Sequence, residues 1–206
     1  GEEKLASVGA SSSVQFLVLG FCMGICCGFA IPVSQHFGAK NTLKMKEAIF
    51  HAGFLSILFA AVITTACAIL CPNILHILST PENIFDDAYS YLFIIFLGIP
   101  FTILYNFLSG LLRAVGDSKT PFLFLVFSSI LNIILDLTFI IVFKLGVSGA
   151  ALATIMSQGV SGLLCLIYII KKFPILCISK EHCRIKSDMT KQMIAMGVPM
   201  GLQYSI

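Results

Sequence analysis

Apolar residues run along this chain in long blocks separated by short polar turns. The blocks cover about residues 6–35, 48–70, 89–112, 121–143 and 147–170, and a further one begins near Thr190. A helix rises 1.5 Å per residue, so about 20 residues cross a hydrocarbon core about 30 Å thick. Each block is long enough to cross with margin for tilt. The pattern predicts five full spans and the start of a sixth. The fold class is therefore all-α, a polytopic transmembrane helical bundle.

The turns alternate in charge. The turn after the first block holds Lys40, Lys44 and Lys46, the third holds Arg113 and Lys119, and the last stretch holds Lys171, Lys172, Lys180, Arg184, Lys186 and Lys191. The segment 71–88 has Glu82, Asp86 and Asp87 without a Lys or Arg, and the turn after the fourth block has Lys144. Eleven basic residues thus fall on one set of alternating turns and one on the other. The excess places the basic turns in the cytoplasm. The chain then enters its first span from outside. It opens Gly1-Glu2-Glu3-Lys4 without an initiator Met, and is read as a piece of a longer protein beginning just before a span.

Composition agrees. Hydrophobic residues make up 58% and charged residues 11% of 206, against about 25% charged in soluble domains. A formal net charge of +3 does not suggest nucleic-acid binding. The eight cysteines form no CxxC pair and read as small buried side chains. Cys177 and Cys183, flanking Lys180 and His182, give only a weak metal signal, and no metal site is assigned. The four histidines lie near span ends or in loops and read as solvated or interfacial. No nucleophile–base pair, phosphate loop or metal cluster is visible, so the chain is not read as an enzyme. Nor does it carry a Walker motif. The remaining energy source for transport is an ion gradient.

Local features mark the ends and faces of the spans. Gly20, Gly24 and Gly28 recur every four residues on one face and allow close helix approach; static packing and a moving contact both fit. Pro32 and Pro100 can kink their spans. Ser79 or Thr80 is placed to cap a helix with Pro81 in its first turn. In Gly116–Pro121, Asp117 or Ser118 can cap the next helix, with Thr120 pushed off helical geometry by Pro121.

The main chemical candidate lies in the fourth and fifth blocks. Asn132 and Asp136 are one helical turn apart on one face, with Ser129 three residues before. A carboxylate inside a span costs about 3 kcal/mol on insertion. Thr154, on the next span, lies at a similar depth of roughly 10 Å from the outer end. Carboxylate, amide oxygen and hydroxyl together suit Na⁺ or, with the carboxylate alone titrating, H⁺. The competing reading is a packed polar network in which Asn132 holds Asp136 neutral. Tyr91, Ser129 and Gln35 are candidate cavity-lining groups, while Tyr105 and Asn106 read as packing or interfacial.

Three stretches together resemble the multidrug and toxic compound extrusion (MATE) family. They are Leu111-Leu112-Arg113-Ala114-Val115-Gly116-Asp117-Ser118-Lys119-Thr120-Pro121, then Asn132-Ile133-Ile134-Leu135-Asp136, then Leu145-Gly146-Val147-Ser148-Gly149-Ala150-Ala151-Leu152-Ala153-Thr154. Leu5-Ala6-Ser7-Val8-Gly9, the turn Gln35-His36-Phe37-Gly38-Ala39-Lys40-Asn41, and Gly197-Val198-Pro199 fit as well. The resemblance implies two six-helix lobes and efflux of amphipathic or cationic drugs driven by inward Na⁺ or H⁺. On that template residues 1–172 are helices two to six of the N-lobe, 173–189 a cytoplasmic inter-lobe loop, and 190–206 the start of the C-lobe; the rest of the second lobe is missing from this chain. Asn132, Asp136 and Thr154 match the family's N-lobe cation site, to which helix one, also missing here, adds an Asp. Ion binding there would bias the lobe to a bent form that expels drug. No cofactor is implied beyond the coupling ion. The partners are membrane lipid and drug, and the location a bacterial plasma membrane. Two other readings remain: a flippase of lipid-linked oligosaccharide on a related fold, and a membrane scaffold that does not transport.

Overall fold

The computed structural model describes residues 2–178 and 186–206, with residues 2–8 and 10 as backbone alone. Among the described residues seven α-helices follow one another: α1 (Glu2–Gly38), α2 (Thr42–Ile77), α3 (Glu82–Leu97), α4 (Ile99–Ala114), α5 (Lys119–Leu137), α6 (Gly146–Lys172) and α7 (Ser187–Ser205). A π-helical turn, Thr138–Val142, prolongs α5. Among the described residues four helices are long and apolar enough to cross a membrane, and α3 with α4, bent by 41°, passes the same test of length and composition when taken as one span. The pair occupies the third predicted span. The break falls at Gly98, and Pro100 lies in the first turn of α4, where its missing N–H costs least. Gly98 also makes room for α6: a Cβ there would collide with the Ile155 side chain. Pro32, by contrast, lies inside an unbroken α1.

The ends of the helices are set by local chemistry. Asn41 Oδ1 accepts from the Lys44 N–H at 3.1 Å and caps α2. Asp117, rather than Ser118, caps α5: its Oδ1 accepts from the Thr120 N–H at 3.0 Å. Thr120 is consequently helical, contrary to expectation, because Pro121 sits in a first turn that needs no N–H of its own. At the start of α3, Pro81 itself takes the cap position and no side chain caps it, so neither Ser79 nor Thr80 does what the sequence suggested. Partial burial pushes the Asp117 carboxyl up, but hydrogen bonds from the Thr120 N–H and hydroxyl outweigh this and hold it below its ordinary value. Its contribution is therefore present above the unfolded-state pKa and is lost as pH falls through the folded one. Asp117→Ala is expected to cost about 1 kcal/mol at neutral pH, with the difference from wild type starting to shrink only as pH falls below about 4 in thermal unfolding.

α1 is the central helix and packs against α2, α3, α4 and α7. On one side Ile25, Phe29 and Val33 join Met45, Ile49, Leu108, Leu112 and Met193 in a core at the basic-turn end. On the other, Cys22 and Cys26 meet Cys71, Leu75, Leu92 and Phe96. Cys22, Cys26, Cys71 and Cys165 are buried free thiols, as expected; Cys27, Cys67 and Cys177 are half-buried. Cys183, Lys180 and His182 lie outside the described residues. α5 is the opposite of α1: Pro121 and Ser128 are its buried residues, and most of its length rests on α6 alone.

The glycine stripe of α1 faces α7. A Cβ on Gly28 would lie 2.6 Å from the Gly197 Cα, and one on Gly24 2.7 Å from the Gly201 Cα. In return, Phe29 packs on Gly197 and Phe21 with Ile25 on Gly201. α7 is also fastened at its start. The Lys186 N–H donates to His51 Nε2 at 2.8 Å, and His51 Nδ1 donates to the Glu47 carbonyl at 2.8 Å. The Lys186 ammonium pairs with Glu47 Oε1 at 2.6 Å. Because one ring nitrogen faces a carbonyl and the other an N–H, the ring carries its proton on Nδ1. His51 is 1% exposed, so the solvated or interfacial reading is corrected for this residue: the start of α7 covers it. His51→Leu leaves a buried carbonyl and N–H unpaired. It is expected to lower stability by about 1–3 kcal/mol, read as earlier thermal unfolding.

Candidate functional site

The site is built where α5 lies against α6. The turn joining them uses left-handed backbone at Lys144 (φ 54°) and Gly146 (φ 60°), which returns the chain antiparallel. Two contacts fix the register. A Cβ on Gly149 would lie 3.0 Å from the Phe139 Cβ, and Ser161 Oγ donates to the Phe124 carbonyl at 3.3 Å. Counting between these points brings Thr154 level with Asn132. Asp136 lies about 5 Å further toward the acidic-turn side, just before the π-helical turn. Such wide turns recur at functional positions because they re-aim the residues beside them.

The hydrogen-bonding state of these groups is uneven. Thr154 Oγ1 donates to the Ala150 carbonyl of its own helix at 3.0 Å, which leaves its lone pairs free to accept. Asn132 Nδ2 and Asp136 Oδ1 are buried and have no partner. They do not bond to each other, so a closed Asn132–Asp136 network is not formed through these atoms. Burying a polar atom without a hydrogen bond costs roughly 2–7 kcal/mol, depending on how apolar the surroundings are. A cation would be met by the carboxylate oxygen, by the Thr154 oxygen and, after a half-turn of its amide, by the Asn132 oxygen.

Tyr91 of α3 lies within electrostatic reach of Asp136. It is buried with Ile95 against Val147 and Ala151 of α6, one turn from Thr154. Its hydroxyl donates to Gln15 Oε1 of α1 at 3.1 Å. Gln15 was not among the sequence candidates, although an amide inside an apolar block was the available signal. Ser129 is exposed and returns its hydroxyl to the Leu125 carbonyl at 3.0 Å. Gln35 is exposed at the opposite end of α1 from Gln15, and the fold does not bring it to this level. Tyr105 donates to the Pro121 carbonyl and Asn106 to the Thr102 carbonyl, both packing roles. A second residue that escaped notice is Gln158, one turn beyond Thr154 on the same face; its Oε1 is buried without a partner. Among the described residues, no cluster of His, Cys, Asp or Glu could hold a metal.

A bundle of membrane-length helices is the architecture the resemblance implied, and comparison with known proteins decides the family. The MatE family model matches residues 1–138. The chain belongs to the MATE family. The probable multidrug resistance protein YpnP of Bacillus subtilis is 36% identical over 209 residues, covering all of this chain and 46% of that protein. An inward-facing MATE family transporter superposes with a TM-score of 0.93 at 25% identity, covering 99% of this chain and 47% of that one. An outward-facing form of a MATE transporter gives 0.92 with 46% of its chain covered. The chain thus spans about half the length of the relatives it matches.

Proposed function

We propose that this chain is the N-terminal part of a secondary multidrug transporter, which extrudes small amphipathic or cationic compounds in exchange for Na⁺ or H⁺. The observation that carries this reading is the buried, unpaired Asp136 Oδ1, one turn from an Asn132 that lies level with a Thr154 whose lone pairs are free. An isolated carboxylate in a span is costly, and a mobile cation is the group that relieves it. The multidrug resistance name of a similar Bacillus protein supports drug as the cargo. Residues 1–172 are the N-lobe on this reading, 173–189 the cytoplasmic link, and 190–206 the start of the second lobe. The membrane is a bacterial plasma membrane, with the basic turns inside. The protein is a transporter and not an enzyme.

The physical requirement is differential affinity. The ion can drive transport only if Asp136 binds it more tightly in one state than in the other. The comparable fit to inward-facing and outward-facing relatives supports a half that moves as a unit. The glycine seam between α1 and α7 is then a contact between the two lobes. A flippase of lipid-linked oligosaccharide is less well supported, since no Arg or Lys lies in the middle of a described span. A passive scaffold gives the unpaired carboxylate no role.

The test uses the full-length protein in proteoliposomes loaded with a fluorescent cationic dye. Imposed Na⁺ and H⁺ gradients are applied separately. Dye export driven by one of them is expected and names the ion. Dye movement indifferent to both, in folded protein, would sink the reading.

A further inference from the structure

We infer that Gln158 forms the next step of the ion pathway, on the basic-turn side of the Asp136 site. This rests on the reading of Asp136 as the ion-carrying group. Gln158 follows Thr154 by one turn on the same face of α6, which sets the two side chains about 6 Å apart along the helix. The register of α5 on α6 brings Gln158 level with Ser128, which is buried at that contact. Asp136, Thr154 with Asn132, and Gln158 therefore descend in order from the acidic-turn side toward the basic-turn side. Asp136 Oδ1 and Gln158 Oε1, at the two ends of this series, are both buried acceptors without a partner.

A packing role does not need an amide here. The neighbours of Gln158 along α6 are small and buried: Ser157 and Gly159, the latter against the Phe101 ring. An apolar side chain of the same length would fill the same space without burying an oxygen. What the amide adds is a neutral, hard acceptor that a cation can touch as it leaves the carboxylate. Being neutral, it holds the ion less strongly than Asp136 does, which suits a step that must release. Without its amide oxygen a cation leaving Thr154 would meet hydroxyls at this level, those of Ser128 and Ser157.

The experiment compares Gln158→Met, Gln158→Glu and Asp136→Asn in the full-length protein, with dye export driven by whichever gradient works for wild type. Each variant is first shown to match wild type in gel-filtration profile and to unfold no earlier than wild type on heating. Gln158→Met keeps the length and loses the oxygen. It is expected to slow turnover about tenfold, with the half-saturating ion concentration changed less than about twofold. Gln158→Glu keeps an oxygen and adds charge, and is expected to lower the half-saturating concentration. Wild-type kinetics in Gln158→Met, with drive lost in Asp136→Asn, would overturn this inference and leave the Asp136 site standing. Equal impairment of the Met and Glu variants would also overturn it, since it marks packing. Coupling retained in Asp136→Asn would overturn both.

Discussion

Gly24→Leu in the full-length protein is expected to abolish transport and to lower thermal stability, while Gly9→Ala changes neither. The difference lies in what each new Cβ meets. At Gly9 nothing lies within 4 Å. At Gly24 the new carbon would lie 2.7 Å from the Gly201 Cα and 2.8 Å from the Met200 carbonyl carbon of α7. Both are backbone atoms, so no rotamer change can relieve the contact and the two helices must part. Parting them also withdraws Phe29 from Gly197 and Phe21 from Gly201. Overpacking a seam of this kind costs about 1–3 kcal/mol, and a backbone collision lies at or beyond the upper end. Thermal unfolding and dye export, measured on the same preparations, check the prediction. Unaltered export in Gly24→Leu would show that α7 need not stay close to α1.

Asp136→Asn is expected to separate stability from function. The substitution removes a charge from a span, so the variant should insert at least as well as wild type and be equally or more stable, by up to about 3 kcal/mol. Gradient-driven export should fall to background, because an amide neither carries a proton nor supplies the full charge a monovalent cation needs. A carboxylate kept for packing would behave differently: its loss would change stability and leave coupling intact. The decisive reading is dye export under a gradient beside thermal unfolding. Export at wild-type rate in a stable Asp136→Asn protein would remove the carboxylate from the mechanism.

Much of this could be read from the order of residues. The five apolar blocks became α1, α2, the bent α3–α4 pair, α5 with its π-helical turn, and α6. Hydropathy is a local property, and in lipid every backbone group must bond within its own helix, so a long apolar run has one stable form. The one-turn spacing of Asn132 and Asp136 was equally local. The level of Thr154 was legible only to within a turn: equal distance from the connecting turn puts it beside Asp136, whereas the register of α5 on α6 puts it beside Asn132. The caps were less legible: Asp117 and Ser118 compete for one position, and the choice depends on loop geometry.

What the order of residues could not decide were the contacts between distant parts. His51 reads as an interfacial side chain until Lys186, far along the chain, is laid over it. The Gly20–Gly24–Gly28 face announces a close neighbour without naming it; the fold shows α7, with Gly197 and Gly201 opposite. Gln15 and Gln158 look like stray amides in apolar runs. The first is placed by its bond to Tyr91, and the second by the register of α5 on α6. The reason is physical. Sequence alone determined which segments cross the bilayer and which polar groups they carry, because solvent and helix period act residue by residue. Only the tertiary structure decided which of those groups meet, because helix register and crossing depend on side chains brought together from distant segments.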